Sequence, residues 1–412
     1  MRRGPFLFFL YIFGIKAYIE TMLTEEKIII SPRAAAKISG GYPWVFSNEI
    51  VTPLRELPDL CLGVLSSPKD DFLGKALFHK HSLIALRLLT HGSSFSPETF
   101  FYERMKSALI RREELYPGWT TLRLVYGESD GLPGLVADRY GDYLILEINA
   151  KALLPYEGPI VKALNELLSP KGILLKNTAS VLSREGITPE TRLLSGTVPE
   201  ETIVEEGGVR FLIRPYSGQK TSLFLDQKEN RRQFSAYTAG RGFTDLFCYA
   251  GAWGLYALKA GASSALFVDI SDDAGDLVRE NLKLNGWAGR GTFIKADIFQ
   301  YIKEITLLDT VSLDPPAFAK SKKDLPSALK GYLYLNRAVM KKMASGGLLA
   351  TSSCSYHVSA LQFDEMLMKS AMESRSRMTS LPGGVQAPDH PVLIQFPESL
   401  YLKTRFLKKD NL

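Results

Sequence analysis

The stretch Asp245-Leu-Phe-Cys-Tyr-Ala-Gly-Ala-Trp-Gly254 joins an apolar run to a segment of helical character, so it predicts a strand that turns into a helix. Glycines in such a turn let the backbone pass close to a ligand, and open α/β sheets bind ligands beyond the carboxyl ends of their strands. The spacing is not the GxGxxG of dinucleotide folds, so this turn lacks their diphosphate cradle. A ligand-binding turn and an ordinary tight turn both remain open from these residues alone.

From about residue 213 onward, buried-type strands alternate with amphipathic helices. One helix places Ala274, Leu277, Val278 and Leu282 on a single face. Such alternation is typical of βαβ units with right-handed crossovers and a parallel sheet. The predicted fold class is therefore α/β, with strands at Phe243–Cys248, Ala265–Val268, Thr292–Lys295, Asp309–Leu313 and Gly347–Ser352.

Carboxylates follow or end three successive strands of this sheet. Asp269 ends the strand after the quoted turn, where it can accept the hydroxyls of a ribose. Asp297 follows the next strand, where it can meet the exocyclic amine of an adenine. An acidic strand end is common by itself, but together with Asp245 the series predicts S-adenosylmethionine, which carries an adenosine without a diphosphate.

The segment Asp314-Pro-Pro-Ala-Phe318 directly follows another strand. Two prolines stiffen the loop and fix the direction of its carbonyl groups. The carboxylate and the carbonyls can then accept hydrogen bonds from a planar amine, although a purely structural stop after the strand is the alternative reading. Because it comes after three strands that are each associated with a carboxylate, the segment indicates a methyltransferase.

Cys354 stands in Ser352-Ser-Cys-Ser355, just beyond the last predicted parallel strand. A thiolate there can add to C6 of a cytosine and so make C5 nucleophilic enough to take a methyl group. The pKa of a free thiol, about 8.5, would have to be lowered for this role. Cys248 is the rival, but its predicted place inside the first strand favours packing or lining of the cofactor pocket.

The 412 residues carry a net charge of +6, which is compatible with nucleic-acid binding but does not establish it. The three cysteines form no motif typical of a disulfide framework or a zinc site, so we expect no metal and a cytoplasmic location. No segment is long and apolar enough to cross a membrane.

The chain is divided by these patterns into four parts: a tail or start-site artefact at 1–22, a small β-rich domain at 23–92, a central α+β domain at 93–212, and the α/β domain at 213–412. Within the first domain, Lys37, Tyr42, Trp44 and Phe46 are types that stack on bases and bind phosphates. A half-buried aromatic corner is the alternative, and the sequence favours it.

Several longer stretches match one known family in order and spacing. They are Tyr42-Pro-Trp-Val-Phe-Ser47, Gly127-Glu-Ser-Asp-Gly-Leu-Pro-Gly-Leu135, Lys220-Thr-Ser-Leu-Phe-Leu-Asp-Gln-Lys-Glu-Asn-Arg231, Asp314-Pro-Pro-Ala-Phe318, Gly331-Tyr332 with Asn336, Ser353-Cys-Ser355 and Asp389-His-Pro391. The chain resembles the large-subunit ribosomal RNA cytosine-5 methyltransferases, which join a PUA domain, a central α+β domain and a Rossmann-like class I methyltransferase domain.

The resemblance implies S-adenosylmethionine as cofactor and large-subunit ribosomal RNA as partner. It implies Cys354 as the nucleophile, and a base-recognition loop formed by Asp314, Pro315, Pro316 and Phe318. The residues it places around the cofactor are Lys220, Phe224, Asp226, Asp245, Gly251, Asp269 and Asp297. The chain departs from the family at Ala317, where lysine or another polar residue is frequent, and in its first 21 residues.

Other functions remain open at this stage. Enzymes that methylate an exocyclic amine place an aromatic residue after Asp-Pro-Pro to stack on a flipped base. Here Ala317 takes that position, though Phe318 could substitute, and C5 methylation is favoured. A non-catalytic RNA-binding assembly factor and a small-molecule methyltransferase are further alternatives. A monomer and a homodimer are equally compatible with the sequence, and Asp314, His357 or a water molecule could remove the C5 proton.

Overall fold

The computed structural model describes residues 24–177, 185–319 and 321–410. The tail or start-site artefact predicted for residues 1–22 lies outside the described residues. The described residues form two compact units, one made of 24–118, 122–198 and 389–399, the other of 119–121, 199–388 and 400–410. Within the part of the chain that the structure describes, no helix is long and apolar enough to cross a membrane.

The first unit begins with a five-stranded sheet in the order β1-β3-β4-β5-β2. Its helix α1 (Pro32–Ser39) starts where Ser31 caps the amide of Ala34, with a proline at the first helical position. The helix buries Ala34 and Ile38 against the sheet. The strands are β1 (Glu25–Ile29), β2 (Trp44–Val45), β3 (Leu60–Ser66), β4 (Phe72–His79) and β5 (Leu86–Thr90).

The second sheet of this unit has the order β10-β9-β8-β7-β6. Two helices accompany it, α2 (Pro97–Leu115) and α3 (Glu157–Leu168). The strands are β6 (Thr121–Tyr126), β7 (Leu135–Tyr140), β8 (Tyr143–Ile148), β9 (Gly172–Asn177) and β10 (Glu190–Gly196). Residues 389–399, far along the chain, belong to the same unit.

The second unit contains the hairpin of β11 (Thr202–Glu206) and β12 (Val209–Ile213), although the domain boundary predicted at residue 212 places most of it with the central domain. Its seven-stranded sheet has the order β15-β14-β13-β16-β17-β19-β18. The strands are β13 (Gly242–Leu246), β14 (Ser264–Asp269), β15 (Gly291–Lys295), β16 (Leu308–Leu313), β17 (Met343–Ser353), β18 (Met378–Leu381) and β19 (Lys403–Lys409).

Strands β13 to β17 are mutually parallel, and β19 runs antiparallel to its neighbours β17 and β18. All five predicted parallel strands are present, so the α/β prediction is confirmed. Helix α4 (Lys228–Ser235) precedes the sheet, and the crossover helices are α5 (Ala252–Lys259), α6 (Asp272–Leu284), α7 (Ile298–Tyr301), α8 (Leu325–Lys342) and α9 (Ala360–Glu373). The strand order reverses between β13 and β16, which is the switch point where open sheets bind ligands.

The first strand of this sheet is shorter than predicted. It ends at Leu246, and Cys248 lies in the turn beyond it. The reason is local: Phe247 and Tyr249 have left-handed backbone conformations, with φ of 63° and 47°, and these interrupt extended structure. The prediction that Cys248 stands within the strand was therefore wrong by two residues.

Candidate active site

Asp245 lies at the end of β13 and is fully buried. One carboxylate oxygen accepts the amide of Gly254, 3.0 Å away, and the other accepts the Ser312 hydroxyl at 2.8 Å. Burial raises the pKa of Asp245 to about 7, although both hydrogen bonds oppose this. Asp245 thus ties the start of α5 to strand β16 and fixes the shape of the turn.

The turn itself approaches the neighbouring strand closely. A Cβ atom at Gly254 would lie 2.3 Å from the Phe267 ring, which is far inside van der Waals contact. Gly251 has φ of +78°, and a Cβ there would lie 3.0 Å from the same ring. Glycine is required at both positions because the helix begins directly against β14.

Asp269 and Asp297 differ in their surroundings. The half-buried Asp269 carboxylate accepts the amides of Tyr249 at 3.0 Å and Ser271 at 3.1 Å. Each oxygen keeps further acceptor capacity, so Asp269 can also receive ribose hydroxyls. Asp297 is exposed and caps α7 by accepting the amide of Phe299 at 2.9 Å. In the structure, the Asp297 side chain serves as the N-cap of α7.

The stretch from Lys220 to Asp226 reaches the same turn through its aromatic residue. The Phe224 ring meets the Tyr249 ring edge-on, with centroids 5.5 Å apart, and the Lys220 ammonium lies 4.6 Å from the Phe224 centroid. Asp226 is buried and accepts the hydroxyl of Tyr401. Phe224 therefore lies next to the predicted cofactor turn, and its contact with the cofactor stays a prediction.

Asp314 follows β16 and stands among polar donors that its own sequence motif does not reveal. Its oxygens accept the Gln227 side-chain amide at 3.0 Å and the Trp253 indole N–H at 3.2 Å. Burial, and to a lesser degree the nearby Asp226, raises the pKa of Asp314 to about 6, against these donors. Both donors lie in stretches already quoted, but nothing in the sequence distinguishes them from packing residues.

The remaining residues of this loop have different exposures. Pro315 is buried and Pro316 is exposed. The Phe318 ring packs against Tyr332, with centroids 4.7 Å apart, and against Phe299 at 5.9 Å. Because the ring belongs to the apolar packing of the unit, its role as a base contact stays a prediction.

Cys354 lies one residue beyond β17 and is half-buried. Its sulfur is 4.0 Å from the carbonyl oxygen of Pro315, so the structure brings the predicted nucleophile and the Asp314 loop together. Burial raises the pKa of the Cys354 thiol to about 11. Lys220 and Lys403 act in the opposite direction, whereas Asp314 and Asp226 add to the rise.

Buried hydroxyl and amide groups hold the Cys354 loop in place. The Ser355 hydroxyl lies 2.9 Å from the Tyr332 hydroxyl and accepts the amide of Ala319 at 3.2 Å. The Asn336 side chain accepts the Thr351 hydroxyl at 2.8 Å. The quoted residues Tyr332 and Asn336 thus act as supports. Lys403 also belongs to this neighbourhood, and no sequence signal distinguished it from the other lysines.

The aromatic corner of the first unit is packed, as the sequence favoured. The Trp44 indole donates to Glu128 at 2.7 Å, and its ring lies 4.5 Å from that of Phe396. Lys37 forms an ion pair with Glu49 at 2.7 Å. Among the described residues, no group of three or more His, Cys, Asp or Glu side chains could hold a metal ion.

Comparison with known proteins agrees with this arrangement. Residues 188–381 match the S-adenosylmethionine-dependent methyltransferase family, and residues 28–91 match the PUA-like domain. The ribosomal RNA large subunit methyltransferase I of Pseudoalteromonas atlantica is 32% identical over 387 residues, covering 92% of this chain and 98% of that protein. The chain belongs to this family. Its counterpart from Aeromonas hydrophila is 34% identical over 372 residues, covering 88% of this chain and 94% of its own length.

Solved structures agree on the fold. A candidate S-adenosylmethionine-dependent methyltransferase from Streptococcus mutans is 23% identical and superposes with a TM-score of 0.79, covering 93% of this chain and 99% of its own. A second structure, complexed with S-adenosylhomocysteine, gives a TM-score of 0.81 with the same identity and coverage. The predicted cofactor, S-adenosylmethionine, is confirmed by the family. The half-buried Asp269 carboxylate fits it, since its oxygens keep acceptor capacity for ribose hydroxyls.

Proposed function

We propose that this methyltransferase forms 5-methylcytosine in large-subunit ribosomal RNA, with Cys354 as the nucleophile. The observation that carries the proposal is the position of the Cys354 sulfur, 4.0 Å from the Pro315 carbonyl, in the loop expected to present the base. The names of the relatives support ribosomal RNA as substrate. The PUA-like domain is proposed to contact the RNA backbone.

The chemistry follows from the reactivity of the cytosine ring. C5 is too weak a nucleophile to take a methyl group directly, so the Cys354 thiolate first adds to C6 and makes C5 enamine-like. S-adenosylmethionine supplies the methyl group as an electrophile on its sulfonium sulfur. Loss of the C5 proton then lets the C6–S bond break, which restores the aromatic ring and frees the thiolate.

Asp314 is the proposed acceptor of the C5 proton. Its side chain is partly exposed and lies in the loop that meets Cys354. A pKa of about 6 leaves it mostly ionised near neutral pH while keeping it a useful base. His357 was the other protein candidate; its ring lies edge-on to Tyr356, 5.3 Å between centroids, and no described contact joins it to the Asp314 loop.

Methylation of an exocyclic amine is less well supported. That reaction needs an aromatic ring free to stack on the flipped base. The available ring, Phe318, packs between Phe299 and Tyr332 instead. An amine methyltransferase would also give Cys354 no role.

Trapping with RNA that contains 5-fluorocytidine tests the proposal. Fluorine at C5 cannot leave as a proton, so the covalent complex should persist through denaturing electrophoresis. Cys354→Ser should abolish the complex because a hydroxyl is a far weaker nucleophile than a thiolate. Cys248→Ser should retain it, with at most a packing or cofactor-affinity defect. The absence of a trapped complex for the parent enzyme, together with near-normal methylation by Cys354→Ser, would overturn the C5 mechanism.

A further inference from the structure

Lys403 is held next to the nucleophile by the pairing of two strands. It is the first residue of β19 and lies opposite Ser353, the last residue of β17, in their antiparallel register. Cys354 follows Ser353 directly. The Lys403 residue is only 7% exposed, so its ammonium group is enclosed at the end of these strands.

The partners of this ammonium group are neutral. Its nitrogen donates to the carbonyl of Ser355 at 2.6 Å and to that of Tyr401 at 2.7 Å. Throughout residues 24–177, 185–319 and 321–410, no carboxylate lies within ion-pair distance of it.

Two other buried cations are paired with carboxylates. Arg112 contacts Asp130 at 2.6 Å, and Arg231 contacts Glu206 at 2.6 Å. A buried cation without an anionic partner is costly. A thiolate at Cys354 would provide the missing negative charge at Lys403.

Charged groups of both signs face Cys354. The cations are Lys220, which is exposed, and Lys403; the anions are Asp314 and Asp226, and the phenol of Tyr332 also faces the thiol. Water and salt screen an exposed charge, whereas a buried charge acts through a medium of low dielectric constant. Burial lowers the pKa of Lys403 to about 8, and Cys354 opposes this change, so the cation and the thiolate stabilise each other.

We propose that Lys403 is a positioning residue that stabilises the thiolate of Cys354 and holds its loop through the Ser355 carbonyl. The inference rests on the proposed function, in which that thiolate attacks C6. With a pKa of about 8, Lys403 is mostly protonated at neutral pH. It supplies charge and two hydrogen bonds and takes no part in covalent chemistry.

The test measures the pH dependence of iodoacetamide alkylation at Cys354 in the full chain, with the modified peptide quantified by mass spectrometry. Lys403→Met removes the charge and the donors, Lys403→Gln keeps amide donors without charge, and Lys403→Arg keeps the charge. Lys409→Met is the matched control, because Lys409 lies on the same strand and also donates to two carbonyls, those of Met340 and Met343.

At pH 7, where Lys403 is mostly protonated, the rate of Cys354 alkylation should fall roughly ten-fold in Lys403→Met and Lys403→Gln, because the thiolate loses a cationic partner. Lys403→Arg and Lys409→Met should stay close to the parent rate. An unchanged rate in both the Met and Gln variants would overturn the inference, as would an equal fall in Lys403→Arg. Trapping with 5-fluorocytidine is a separate readout, so failure of the C5 mechanism is distinguishable from failure of this inference.

Discussion

Two turns at the same edge of the seven-stranded sheet each carry a cysteine, yet their electrostatic surroundings differ. Cys248 follows β13 and is 5% exposed; burial raises its pKa well above the ordinary value, and the neighbouring anions Asp245 and Asp269 add to the rise. Cys354 follows β17, is half-buried, and faces two lysines as well as two aspartates. Similar backbone positions therefore give two thiols whose pKa is raised by burial, but near Cys354 two cations oppose the rise, whereas near Cys248 two anions add to it.

The turns at this edge of the sheet form two groups with different surroundings. The turns after β13 and β14 are fixed by carboxylates that accept backbone amides, an arrangement suited to holding a cofactor. The turns after β16 and β17 bring together a sulfur, a carbonyl and a carboxylate with a pKa near 6. Four tests can break or sharpen the contrast.

The largest effect is expected for Asp314→Asn, which keeps the shape of the side chain but cannot accept the C5 proton. Methylation should fall by about 10²–10⁴-fold, the usual contribution of a general base. Covalent complexes with ordinary RNA should accumulate, because the methylated adduct cannot eliminate the enzyme. Denaturing electrophoresis and turnover assays measure both. Normal turnover without accumulated complex would assign the proton to another acceptor.

Alkylation of the native protein compares the two cysteines directly. Iodoacetamide should modify Cys354 at least about ten-fold faster than Cys248, because the thiolate reacts and Cys248 is more buried and faces only anions. The rate at Cys354 should rise about ten-fold per pH unit between pH 7 and 9, since its pKa lies near 11. Cys61, with a pKa raised to about 12 by burial, serves as the internal control. Equal labelling of Cys248 and Cys354 would remove the contrast.

On the cofactor side, Asp269→Ala should weaken S-adenosylmethionine binding by about 1–3 kcal/mol, because ribose hydroxyls lose a charged acceptor. Asp297→Ala is the matched variant. It should mainly remove the cap of α7, at a cost of about 1 kcal/mol in stability. Calorimetric titration and thermal unfolding separate the two effects. A larger loss of affinity in Asp297→Ala than in Asp269→Ala would reverse these roles.

The smallest effect is expected for Asp245→Asn. The asparagine oxygen can accept the Gly254 amide and its nitrogen can donate to Ser312, so cofactor affinity should change little. The pKa of Asp245 is raised from 3.8 to about 7, so the native state holds this proton more tightly than the unfolded chain does. Its stabilising contribution is therefore present in acid and lost as pH rises from about 4 through 7. Thermal unfolding of the variant should depend less on pH across this window; an unchanged dependence would exclude Asp245 as its source.

Local sequence patterns predicted most of the α/β sheet. Runs such as Thr292–Lys295 and the apolar face of α6 are set by neighbours a few residues away, and such patterns survive in any tertiary context. The end of β13 was missed because the left-handed conformations of Phe247 and Tyr249 have no side-chain signature. The site residues predicted at the sheet edge, from Asp269 to Cys354, also follow from a regular pattern. Parallel strands place their carboxyl ends at the same edge, so residues that follow those ends come together.

Only the tertiary structure decided which distant groups meet these residues. Lys403 reaches the Cys354 loop because β19 pairs antiparallel with β17, and nothing near residue 403 encodes that pairing. In the same way, Gln227 and Trp253 converge on Asp314, and Tyr332 draws Phe318 into the apolar core. The sequence by itself determined the strands, the glycine turn and the reactive groups at the strand ends. Their charges and partners depend on contacts between residues far apart in the chain, which exist only once the sheet is assembled.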